Sequence, residues 1–228
     1  EKANWESTID SLNASSRVKP VIVQYPLSTG PSFDSFIDVL MMKMYKFTDE
    51  NGTRQELDIP ESEMERASEL NNALVEAAAE NDDNLMELYF EKGTLTQDEM
   101  RSGLKKGLAK RDLMPVFCTS GKKDIGSKRL MEFIINVAPG PKEAPAMKTA
   151  DGIEVLADET GSVVLFVFKS SNEQHIGEIS YFRLVRGKLT EGMELVNART
   201  CNKGKLAQRF AVAGKNRVKV TEMCAGDI

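Results

Sequence analysis

A chain of 228 residues, 41% of them hydrophobic, is long enough to bury a core and is expected to form two domains. Its single histidine, His175, excludes a multi-histidine metal centre and speaks against a histidine-based triad. No run approaches the roughly 20 apolar residues that span a bilayer, and Glu1–Trp5 carries no signal-peptide pattern. The three cysteines, Cys118, Cys201 and Cys224, lack Cys-x-x-Cys spacing and read as reduced, buried thiols of a cytoplasmic protein. The net charge of −5 is unevenly spread: residues 49–112 hold 17 acidic and 8 basic side chains. Between Cys201 and Val220 stand Lys203, Lys205, Arg209, Lys215, Arg217 and Lys219 without one acid. An acidic middle and a basic end predict two different contact surfaces, where a solvated face is the plain alternative for each.

In chain order, Trp5, Ile9 and Leu12 predict a short helix that closes near Ser15 and Ser16. Pro20 to Pro26 reads as a strand with its prolines at the ends, and Leu27 to Phe33 as a turn-rich loop. Phe36 to Phe47 is expected as a second strand, apolar on both faces through Met41, Met42 and Met44. Asn51-Gly52 is a tight turn, and Ile59-Pro60-Glu61 opens a long helix with Met64, Ala67, Leu70, Leu74 and Ala77 or Ala78 on one face. Asn81 to Asn84 interrupts that helix and caps another; Glu80, Asp82 and Asp83 match no calcium loop and suit capping better than metal binding. Thr96-Gln-Asp-Glu99 is a capping box ahead of a third helix.

Pro115 to Val137 reads as a short strand, a Ser-Gly-Lys loop and an amphipathic helix. Asp124 or Ser127 is the expected cap, Leu130, Phe133, Ile134 and Val137 form the apolar stripe, and Pro139 and Pro141 end the helix. A strand, a small-residue loop and a helix make half of a parallel α/β unit, with ligands expected at the strand's carboxyl end. Ala138 to Pro145 is a proline-rich linker and the expected domain boundary. After it come strands of about six residues between glycine turns, which predict an antiparallel barrel: Ser162–Lys169, Gly177–Arg186, Met193–Thr200, Lys205–Ala213 and Arg217–Met223.

Several of these segments together resemble the elongation factor G family of translational GTPases. Pro115-Val-Phe-Cys-Thr-Ser-Gly-Lys-Lys-Asp-Ile-Gly126 is similar to its fifth guanine-nucleotide motif, with Gly121 where alanine and Thr119 where glycine is usual. Gln24, Pro26, Phe33, Ile37, Asp38, Val39, Leu40, Lys43 and Tyr45 fall into another of its patterns. Phe166–Lys169, Gly177–Arg183, Gly187–Gly192 and Ala225–Ile228 resemble its second domain. The resemblance implies a multi-domain chain, α/β followed by all-β. Residues 1–140 would be the C-terminal part of a P-loop GTPase domain, with the G′ insert at about 18–112. Residues 141–228 would be a translation-factor barrel, incomplete where Ala225–Ile228 stops short of the family's further strands.

What the resemblance implies for function is a fragment of a ribosomal translocation factor, whose longer parent drives tRNA–mRNA movement by hydrolysing GTP with Mg2+. Ser120, Gly121 and Lys122 would meet the guanine through the backbone. Lys203, Lys205, Arg209, Lys215, Arg217 and Lys219 would meet ribosomal RNA, and the acidic helices the ribosomal stalk protein; no membrane or DNA partner is implied. No Gly-x-x-x-x-Gly-Lys-[Ser/Thr] occurs, and the Asn-Lys-x-Asp that reads guanine is also missing. The chain alone is therefore expected to hold no catalytic residue, metal or cofactor. A release factor, a tetracycline ribosomal-protection protein, or a non-GTPase module built on the same barrel are the alternatives.

Overall fold

The computed structural model describes residues 3–48, 53–174, 177–206, 208–214 and 216–228. The Asn51-Gly52 turn, His175 and Lys215 lie outside them. Two units are present, Glu1–Pro139 and Gly140–Ile228.

The first unit opens with α1 (Trp5–Ser15), capped by the Asn4 side chain, which accepts from the Ser7 N–H at 2.9 Å. The expected strand from Pro20 to Pro26 is two strands in two sheets. β1 (Lys19–Ile22) pairs in parallel with β6 (Leu113–Val116), whereas β2 (Gln24–Pro26) pairs with β3 (Ser35–Asp38). Val23 joins the sheets: its N–H donates to Val116 O and its carbonyl accepts from Val39 N. The expected strand from Phe36 to Phe47 is a hairpin of β3 and β4 (Lys43–Phe47), extended by β5 (Arg54–Leu57) into the order β2-β3-β4-β5. It turns because Asp38 Oδ1 accepts the Met41 N–H at 3.0 Å and Met42 adopts a φ of 51°. Neither feature shows in an apolar Val-Leu-Met-Met run.

Alternation gives this sheet two buried faces. Phe36, Asp38, Tyr45, Phe47 and Gln24 share one face, where Phe36, Tyr45 and Phe47 cluster with Cys118 and Ile125. Tyr25 and Ile37 lie on the other, in the larger core with Leu74, Ala78, Leu104 and Phe133. Each fully buried large side chain contributes about 1.5–3 kcal/mol, which is why all four residues of β3 are buried, Ser35 and Asp38 included.

Three helices follow: α2 (Glu61–Ala79), α3 (Asp83–Lys92) and α4 (Gln97–Lys110). Asp82 caps α3 by accepting from Asn84 N and Leu85 N, and it also receives Lys106. Thr96 and Glu99 complete the capping box on α4. Met64, placed by its spacing on the buried stripe, is 43% exposed. The helices α2 and α4 approach so closely that a Cβ on Gly103 would lie 2.3 Å from Ala78 O. The run Ala77-Ala78-Ala79, all no more than 2% exposed, is the matching small-residue surface. After β6, α5 (Ser127–Val137) closes the unit; Gly126, not Asp124 or Ser127, is its N-cap.

The second unit consists of antiparallel pairs: β7 (Met147–Lys148) with β8 (Glu154–Val155), β9 (Val164–Glu173) with β10 (Gly177–Arg186), β11 (Lys188–Thr190) with β16 (Glu222–Cys224), β12 (Glu194–Val196) with β13 (Lys203–Lys205), and β14 (Phe210–Ala213) with β15 (Asn216–Lys219). Among the described residues these ladders remain two-stranded and do not join into one sheet. Three expected strands are shorter than their spacing suggests. Asn197 ends β12 by accepting from Arg199 N and Thr200 N; 205–213 and 217–223 each break between separate ladders. Leu184, Leu189 and Met223 form the core, with Leu165, Phe182, Leu195 and Val220 against them. Cys118 is buried, but Cys201 is exposed in a turn with a φ of 57°, so it is not the buried thiol expected.

Gly103→Ala tests the α2–α4 approach. Alanine gains about 1 kcal/mol of helix propensity, yet its methyl would overlap a main-chain carbonyl. We expect a net loss of about 1–3 kcal/mol in urea denaturation; equal or greater stability would contradict the contact.

Candidate functional site

The Ser-Gly-Lys loop leaves β6 through Phe117 and Cys118. Ser120 and Ile125 exchange both backbone hydrogen bonds, at 2.9 and 3.1 Å, closing a loop over Gly121, Lys122, Lys123 and Asp124. Asp124 takes a φ of 51°, the left-handed region that aspartate tolerates better than most residues. Gly126 has a φ of 78°, and a Cβ there would fall 2.5 Å from Cys118 O, so the position requires glycine. Ser120 is half-buried and Gly121 and Lys122 are exposed. The N–H groups of Gly121 and Lys122 have no internal acceptor among the described residues. Two adjacent donors on exposed residues suit an acceptor on a planar ligand edge.

Beneath the loop lies a polar network. Cys118 N donates to Gln24 Oε1 at 3.4 Å and the Cys118 thiol to Gln24 O at 3.5 Å. Burial pushes that thiol's pKa up to about 12, so it stays protonated as a donor. Gln24 Nε2 donates to Asp38 Oδ2 at 3.0 Å, and Arg129 Nε and Nη2 donate to the same oxygen at 3.2 and 2.9 Å. Arg129 also binds Glu132, which pairs with Arg54 at 3.4 Å. Both guanidinium groups lie over the Tyr45 ring, at 5.2 and 5.3 Å. Burial works against the charge on Arg129, but Asp38 and Glu132 outweigh it and raise its pKa. Burial likewise favours protonated Glu132, yet Arg129 and Arg54 hold its carboxyl below its ordinary value. The sequence marks Gln24 and Asp38 only through a family pattern, and it gives no sign that Lys123, inside the loop, differs from a solvated lysine.

In the second unit the basic residues are not one free surface. Lys203 pairs with Glu194 at 3.2 Å, Arg217 with Glu173, and Lys219 with Glu191 at 3.7 Å. Lys205 is exposed and stands opposite Glu194 in the β12–β13 ladder, but among the described residues Glu194 pairs with Lys203 instead. Arg209 is 3% exposed and donates through Nη2 to Thr221 O at 2.8 Å, which removes it from any surface contact. Arg217 and Lys219 share the β14–β15 face with Phe210 and Val212, both part-exposed.

Residues 162–228 match the family model described as elongation factor G domain 2. Over 99% of its length the chain is 28% identical to "Elongation factor G 2" of Syntrophomonas wolfei subsp. wolfei, covering 33% of that protein. A crystal structure of a Thermus thermophilus protein superposes on 99% of the chain with a TM-score of 0.78 at 26% identity, covering 31% of the solved chain. A translation-factor fold is the class these matches define. The chain is similar along its length to an elongation factor G protein and matches that family's second domain over residues 162–228, and it spans about a third of the length of the relatives it matches.

The lowered Glu132 pKa sets a sign. Its stabilising effect is complete above the ordinary glutamate value of about 4.3 and is lost as pH falls through the lower folded value. Wild type is therefore expected to be more stable than Glu132→Gln at pH 7, with the gap closing below pH ~4. Thermal melts across pH check this; a gap that widens on acidification would contradict the network.

Proposed function

We propose that this chain is a segment of a ribosomal translocation factor, and that the longer protein uses GTP hydrolysis to move tRNA and mRNA during elongation. The observation that carries the reading is similarity along 99% of the chain to a protein named elongation factor G 2, joined to a domain 2 match over residues 162–228. In this reading the first unit is the end of a GTPase domain with its insert. Ser120, Gly121 and Lys122 meet the guanine edge through main-chain groups. The phosphates and Mg2+ are held by residues that the chain does not include. One or two neutral hydrogen bonds contribute about 1 kcal/mol each, whereas a 1 mM affinity needs about 4 kcal/mol, so the loop alone binds nucleotide very weakly.

The basic strands of the second unit are read as the ribosomal RNA contact, and the acidic helices α2 and α3 as the side turned to the stalk protein. Lys205 leads the RNA contact. Lys203, Arg217 and Lys219 exchange their carboxylates for phosphates on binding, and Arg209 takes no part.

Co-sedimentation of the full chain with ribosomes over a salt series tests this. Lys205→Glu combined with Lys219→Glu should weaken binding about tenfold at low salt and reduce the slope of log K against log salt by about one to two. Arg209→Met should leave the slope unchanged. Unaltered affinity and slope in the double variant would overturn the RNA assignment.

A further inference from the structure

Three contacts tie the Ser120–Lys122 loop to the β2–β5 sheet, and all join residues far apart in sequence. On the entering side, Gln24 holds Cys118 through both its side chain and its carbonyl. On the leaving side, Ile125, 2% exposed, packs with Phe36, Tyr45 and Phe47. From within the loop, Lys123 Nζ reaches the β2–β3 connection and donates to Pro31 O at 2.6 Å and Phe33 O at 3.5 Å. Those acceptors are themselves fixed. They lie in and beside a single 3-10 turn (Gly30–Ser32), which Ser28 Oγ and Ser32 Oγ brace by donating to Ser32 O and Thr29 O.

Lys123 has no carboxylate partner among the described residues; its charge is directed at main-chain carbonyls. An ammonium group carries three donors on a flexible stem, so holding it in one place costs side-chain entropy that a solvated lysine would keep. A contact of this kind fixes geometry. What it fixes is the short segment that bears the free Gly121 and Lys122 N–H groups.

We infer that Lys123 and Gln24 are positioning residues, through which the β2–β5 sheet sets how the Gly121 and Lys122 N–H groups face their ligand. The inference rests on reading that loop as the guanine-side loop, so the strand–helix unit alone is not sufficient to shape the site. Movement in the β2–β3 connection is transmitted to the loop through Lys123, and ligand at the loop reports back to the sheet by the same route.

Residue-resolved amide exchange on the full chain tests this. In Lys123→Ala, exchange at the Ser120 and Ile125 amides should speed up about tenfold while Leu74 and Leu104 in the helical core stay unchanged. Lys123→Arg, which keeps the cation, should restore most of the protection. Unchanged exchange at Ser120 and Ile125, or an equal rise at Leu74 and Leu104, would overturn the inference.

A second readout uses guanosine monophosphate at about 20 mM, high enough to populate a weak site in part. The Gly121 and Lys122 amide signals should shift in wild type and shift about threefold less in Lys123→Ala. Equal shifts in both proteins would overturn the positioning role. No shift in wild type would remove the guanine reading instead, and the exchange result would still decide whether Lys123 holds the loop.

Discussion

The first unit depends on one buried charge. Asp38 is 1% exposed, and such a carboxylate is tolerated only when its oxygens are paired. Arg129 from α5 and Gln24 from β2 meet at Oδ2, and the Met41 N–H takes Oδ1. One side chain therefore fixes the β3–β4 turn, the β2–β3 register and the seat of α5 on the sheet. Breaking a buried pair of this kind costs about 3–5 kcal/mol, because the remaining charge is stranded.

From this anchor the rest follows by alternation. With Asp38 turned towards α5, Phe36 is turned the same way, and its cross-strand neighbour Tyr45 completes a floor on which Cys118 and Ile125 rest. Ile37 and Tyr25 then face the helices, where the tight α2–α4 contact forms the main core. The loop that carries Gly121 and Lys122 is built on the floor side. A register slip of one residue would bury Ile37 beneath the loop and leave Asp38 without Arg129.

Local features were legible in the sequence, and distant ones were not. The Thr96–Glu99 box and the Asp82 cap were visible because donor and acceptor lie within a few residues. The β3–β4 turn escaped notice because Met41 and Met42 carry no turn chemistry, although Met42 occupies a left-handed conformation. Cys118 and Gln24 are separated by 94 positions, so no spacing rule joins them. Arg209 was read as a surface cation from its residue type, and only packing shows that it is buried. The strands of the second unit were placed roughly by glycine punctuation, but their ends are set by side-chain turns such as that at Asn197.

A double-mutant cycle on Asp38 and Arg129 in urea is the most direct measurement of the account. Asp38→Asn and Arg129→Met should each lose about 3–5 kcal/mol. The double variant should lose less than their sum by at least about 1 kcal/mol, the signature of a direct coupling. Losses that add to within about 0.5 kcal/mol would mean that the two side chains act separately, and that the sheet is not held to α5 through this pair.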